Sequence, residues 1–234
     1  MGNRQEVITV GSYVHVCNRG VRRMPIYRQK SDLWRLLFNL FYLNSAHVSE
    51  NWARELEEQD KDAMKNFVWL EKWGPRVPLV SILAYTIMPN HFHLLLKEVK
   101  TGGISRFMHK FSMGYAKFIN TKYKESGSLF QGRYRSKTVD DDTYFQHVAA
   151  YVMTKNPMEL HDGGLKAAMH NFESAWQQAI EYPFSSLAEY AEKRTTPILE
   201  KELLGELFPS GKSFKSFSKD CIEGMNLDDK DFDL

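Results

Sequence analysis

The spacing of apolar residues along this chain switches between a period of two and a helical period, and the switches mark its elements. Ser12–Asn18 ("SYVHVCN") alternates with β-branched residues and predicts a strand, whereas "SDLWRLLFNLFYL" keeps apolar residues at helical spacing behind a cap expected at Ser31. Between residues 44 and 78 the pattern becomes acidic and tryptophan-bearing, which predicts a helical insertion ending at Gly74 and Pro75. Leu79–Met88 and His91–Val99 then read as two strands joined at Pro89-Asn90, a hairpin. A helix capped at Ser105 should follow, with Phe107, Phe111, Tyr115 and Phe118 on one stripe. Ser128–Val139 predicts a further strand, and Asp140–Pro157 a helix opened by acidic residues and stopped at the proline.

The order is β-α-β-β-α-β-α, with an insertion before the second strand. It predicts an α+β fold of the ferredoxin-like split βαβ type, an antiparallel sheet covered by helices. The domain is expected over residues 1–160, with residues 161–234 as a C-terminal extension. That extension turns polar from about Arg194 and offers few apolar anchors, so its end is expected to be poorly ordered.

Composition narrows the classes. The chain has 234 residues, 43% of them hydrophobic, enough for a substantial core. Cys17 and Cys221 lie far apart and form no metal-binding or redox spacing. No apolar run approaches the roughly 18 residues of a membrane span, and the N-terminus lacks a secretory pattern, so a cytoplasmic location without membrane contact is expected.

Net charge is only +2, but its distribution is uneven. Between Lys100 and Lys137 stand nine basic residues and one acid, Glu125. Arg133, Arg135 and Lys137 alternate and would share one face of a strand, with Lys110 and Lys117 on the helix before it. A polyanion groove is the expectation; a solvated surface is the alternative.

The hairpin raises the chemical question. In "MPNHFHLLL" His91 and His93 are two apart and point to the same face, where they can act as metal ligands or as ordinary structural histidines. The helix after Asp140 can cover them, since Tyr144, His147 and Tyr151 fall on one stripe.

Four blocks in order, "YVHVCNRG", "MPNHFHLLL", "SLFQGRYRS" and "YVMTKNP", resemble the single-tyrosine HUH transposases, in particular the REP-associated tyrosine transposase branch of insertion-sequence 200-like proteins. The resemblance covers roughly residues 12 to 160. It implies a single-stranded DNA endonuclease and strand transferase in which His91 and His93 hold Mg²⁺ or Mn²⁺. Tyr151, or alternatively Tyr144, would attack a phosphodiester to leave a 5′-phosphotyrosine. The family pattern places an amide side chain four residues after the tyrosine; here Asn156 stands five after Tyr151. On a regular helix that is about 140° away, so the third ligand is either Asn156, if the helix loosens, or His147.

The resemblance further implies hairpin DNA of repeated palindromic elements as partner. Arg19, Arg22 and Arg23, in a loop with Gly20 and Pro25, are the candidate contacts. A monomer acting in cis is expected, a dimer being the alternative. Two other readings compete. One is a non-catalytic nucleic-acid-binding module on the same fold; the other is a zinc hydrolase, for which Glu98 is the only nearby carboxylate.

Overall fold

The computed structural model describes residues 7–224. Strands β1 (Tyr13–Arg19), β2 (Val80–Ile87), β3 (His91–Glu98) and β4 (Arg135–Thr138) form one antiparallel sheet in the order β2-β3-β1-β4, which is the split βαβ arrangement. The chain is therefore α+β, as the pattern predicts. The end of the C-terminal extension, from residue 225, lies outside the described residues.

Helices α1 (Lys30–Tyr42) and α3 (Gly103–Tyr123) cover one face of the sheet. Val14, Val16, Phe92, Leu94 and Leu96 fill that interface and are fully buried. Both helix starts differ from expectation. Gln29 and Asp32, not Ser31, form the capping box of α1. At α3 the cap is Gly102, and the buried Glu98 carboxylate accepts from the backbone N–H groups of Gly103 (3.0 Å) and Ile104 (2.7 Å), an anion answering a helix N-terminus. The insertion carries α2 (Trp52–Gln59) and packs Trp52 and Trp73 on Tyr42 at the end of α1.

The second face is covered by the rest of the chain. It comprises α4 (Asp142–Ala150), a π-helical turn (Tyr151–Lys155), α5 (Asn156–Met158), α6 (Gly164–His170), α7 (Phe172–Glu181), α8 (Leu187–Tyr190), α9 (Glu202–Leu207) and α10 (Gly211–Glu223). The segment after Arg194 is better anchored than its polarity suggests. Ile198, Leu204, Phe208, Phe214 and Ile222 are spaced so that each buries its side chain while the residues between them stay polar. Phe184–Ser186 also caps the edge of β2: Ile87 N–H donates to the Phe184 carbonyl, and Ser186 N–H to that of Tyr85.

A β-bulge between Ile82 and Ala84 inserts Leu83 into β2. One extra residue reverses the alternation beyond it, so Thr86 pairs with His93 on the second face instead of sharing a face with Val80. The fourth strand is shorter than Ser128–Val139. Gly132, at φ +158°, breaks the extended run, and Phe130 keeps only an isolated bridge to Gly20.

Candidate active site

His15, Cys17, His91, His93, Arg135 and Lys137 lie on the second face, because the registers pair Cys17 with both His93 and Arg135, and His15 with Lys137. His91 is half-buried; His93 is 1% exposed. Asn90 Oδ1 lies 2.6 Å from His91 Nδ1, which fixes the proton there and makes Nε2 the acceptor nitrogen. His93 Nδ1 meets His15 Nε2 at 2.9 Å, and its own Nε2 is buried without a hydrogen-bond partner among the described residues. Burial, reinforced by His15, His91, Lys155 and Arg19, holds the His93 imidazole well below its ordinary range, so it is neutral at pH 7.

The pair opens on a cavity of about 470 Å³ lined by Asn18, Arg19, Gln131, Arg133 and Arg135 as well as the histidines. Among the described residues no carboxylate lines it. Arg133 lies before β4 rather than on it, yet it reaches the same cavity as Arg135. Arg22 and Arg23 are exposed in a tight turn whose carbonyl at Arg23 accepts from Asn90 Nδ2, so the arginine loop is tied to the histidine hairpin. Gly20 permits this closeness: a Cβ there would lie 2.2 Å from the Met24 carbonyl oxygen.

The tyrosines separate. Tyr151 sets its ring edge-on to His93 (5.2 Å between centroids) and to His15 (5.9 Å), with Lys155 Nζ 4.8 Å over the ring. It is 3% exposed and does not line the cavity itself. Tyr144 lies instead under the Lys137 ammonium. His147, on the same stripe, turns the other way: its Nδ1 is 3.4 Å from Cys221 Sγ and its ring packs on Phe217, both of α10. The extension that covers this helix, absent from the stripe argument, explains the difference.

The helix does not stop at Pro157. It widens into a π-turn, with Asn156 N–H donating to the Tyr151 carbonyl, and continues through α5. A regular helix would drive the proline ring into the Met153 carbonyl, and one extra residue per turn relieves that contact. The carbonyls this leaves take side chains: Thr86 Oγ1 donates to Val152 O (2.5 Å), and Ser185 Oγ to Met153 O. The i to i+5 closure also brings Asn156 back over the Tyr151 side of the helix. Its side chain is 1% exposed, and neither amide atom has a partner among the described residues. Replacing Thr86 by valine should cost about 1–3 kcal/mol, the penalty of a buried carbonyl left unpaired, measurable as a lower denaturation midpoint with unchanged slope.

The basic segment divides between two faces. Lys110 and Lys117 line a groove between α1, the insertion and α3, where Lys110 donates to the Ser45 carbonyl. They do not share the cavity of Arg133 and Arg135, because α3 lies across the sheet from the histidines. Glu98, held at the start of α3, points to that side too and cannot serve as a base beside them.

Residues 78–155 match the family model described as "Transposase IS200 like". Over that segment, a third of its length, the chain is similar to IS200-like transposases. That segment runs from the hairpin of His91 and His93 to the π-turn that begins at Tyr151. Among solved structures, one described as that of "the REP associates tyrosine transposase bound to a REP hairpin" is 14% identical, with a TM-score of 0.44, over 85% of this chain and 89% of that one. No curated protein matches. Among the described residues no helix is long and apolar enough to cross a membrane.

Proposed function

We propose that this chain is a metal-dependent single-stranded DNA endonuclease and strand transferase, with Tyr151 as nucleophile and hairpin DNA as substrate. The observation that carries the reading is the contact of Tyr151 with His93, beside a cavity walled by arginines and, among the described residues, free of carboxylates. Such walls suit a phosphodiester and repel cationic substrates.

His91, His93 and Asn156 would hold the divalent ion. Among the described residues no three His, Cys, Asp or Glu side chains cluster as a metal site, and the donor set here is two imidazoles with one carboxamide. It fits an ion that completes its shell with phosphate oxygens, and the orphaned buried atoms of His93 and Asn156 fit it further. When bound, the ion would polarise the phosphate. Asn156 is preferred over His147 as third ligand because the π-turn returns it to the side of Tyr151, whereas His147 faces α10.

The protein's own groups do the rest. Arg19, Arg133 and Arg135 hold the strand, and the Tyr151 oxygen forms a bond to phosphorus as the bond to the 3′ oxygen breaks. The phenolic proton leaves to solvent, and the 3′ oxygen takes one up. Because Tyr151 is buried, the phenol has to turn towards the cavity, and the π-turn is where helix geometry yields most readily. Residues 1–160 would form the catalytic domain, with the extension as a clamp on its second face.

Incubation with a labelled single-stranded hairpin and Mn²⁺, followed by denaturing electrophoresis, should yield a protein-linked strand. Binding without any adduct would favour the non-catalytic module instead. Arg133→Ala/Arg135→Ala should lower the slope of log affinity against log salt by about 1.4, from roughly 0.7 per phosphate contact, while Lys110→Ala/Lys117→Ala should leave it unchanged. Equal slopes in both pairs would overturn the assignment of the cavity.

A further inference from the structure

His15 enters none of the roles above, although it is fully buried on the central strand β1 and touches both His93 and Tyr151. Its Nε2 lies 2.9 Å from His93 Nδ1, with the two rings stacked at 5.1 Å. That separation holds a single shared proton. A neutral imidazole carries one N–H and one lone pair, so the position of this proton decides what His93 presents at its other nitrogen. If His15 donates, the proton of His93 sits on Nε2 and blocks a cation. If His93 donates, Nε2 offers its lone pair.

On the reading of His91 and His93 as metal ligands, we propose that His15 is a positioning residue for His93: it accepts the Nδ1 proton and so keeps Nε2 as the ligating nitrogen. Asn90 does the same for His91 from the hairpin turn. The two ligands are thereby set by partners of different chemistry, an amide oxygen from the turn and a second imidazole from the neighbouring strand. The stacked ring also leaves His93 one orientation, with Tyr151 against its edge.

The test uses the full chain without DNA. His15→Gln keeps an acceptor, whereas His15→Phe keeps the ring shape and leaves the Nδ1 proton of His93 unanswered. Mn²⁺ affinity, followed by electron paramagnetic resonance, should fall about 10–100-fold in His15→Phe and stay within about threefold in His15→Gln. Nitrogen-15 spectra of the metal-free wild-type chain should show His93 as the Nδ1–H tautomer, a readout that holds even if His15→Phe fails to fold. An Nε2–H tautomer in the wild type would overturn the proposal. So would wild-type Mn²⁺ affinity in folded His15→Phe, or equal losses of affinity in both variants. A wild-type chain that takes up no Mn²⁺ with or without hairpin DNA would instead overturn the metal reading itself, and the role of His15 with it.

Discussion

Tyr151→Phe should abolish the covalent protein–DNA adduct while hairpin binding stays within about threefold of wild type. The substitution removes one oxygen and leaves the ring that packs on His93 and His15, so the 3% exposed position keeps its volume and its neighbours. What it removes is the proposed nucleophile, the oxygen that would store the phosphoester, and the loss should exceed about 10³-fold, since neither water nor the remaining ring regenerates a phosphotyrosine. Tyr144→Phe is the control. Tyr144 sits under Lys137, neither of them among the residues that line the cavity, and its loss should leave the adduct in place. Labelled strands on a denaturing gel separate the cases. Adduct in Tyr151→Phe and none in Tyr144→Phe would reverse the assignment.

The sequence made the sheet legible because each strand carries its own signal. The alternation of "SYVHVCN", the Pro89-Asn90 punctuation and the aromatic stripe of α3 are local properties, and they fix which residues share a face. Thus His91 and His93 are readable as a pair, and Arg135 and Lys137 as residues of one strand face. What escaped reading depends on events away from the local pattern. The bulge at Leu83 that turns Thr86 towards His93 leaves no gap in an apolar run that reads equally well without it. The packing of α10 on His147 joins residues more than seventy positions apart. Lys110 and Arg133 look like one basic stretch because the count along the chain cannot tell which side of the sheet a helix covers.

The π-turn is the instructive middle case. Asn156 at i+5 from Tyr151, followed at once by Pro157, already announces a conflict with a regular helix. The sequence states the conflict but not its resolution, which needs the hydroxyls of Thr86 and Ser185 to take the carbonyls released. His15 shows the same limit. Its place in the alternation of β1 was readable, but its 2.9 Å approach to His93 depends on the β1–β3 register, which no local signal sets.

His91→Ala/His93→Ala should abolish cleavage as completely as Tyr151→Phe, by a different route, and mixing the two proteins should not restore it. With both imidazoles gone, only Asn156 remains of the proposed donor set, and a single carboxamide should not retain the ion; Mn²⁺ uptake should fall at least about 100-fold. The fold should persist, because the face opposite the histidines keeps its buried Phe92, Leu94 and Leu96, though His93→Ala leaves a small cavity beside Tyr151. The mixture bears on assembly. In one chain the Tyr151 ring already lies 5.2 Å from His93, and the π-turn between α4 and α5 is fastened to its own sheet by Thr86 of β2. On the proposed reading a tyrosine so held would serve the histidines of its own chain, so the two inactive proteins should have no intact site to share. Adduct formation in the mixture, read on the same denaturing gel with one partner enlarged by a tag, would mean that the helix of one chain reaches the cavity of another, and would overturn the arrangement in cis.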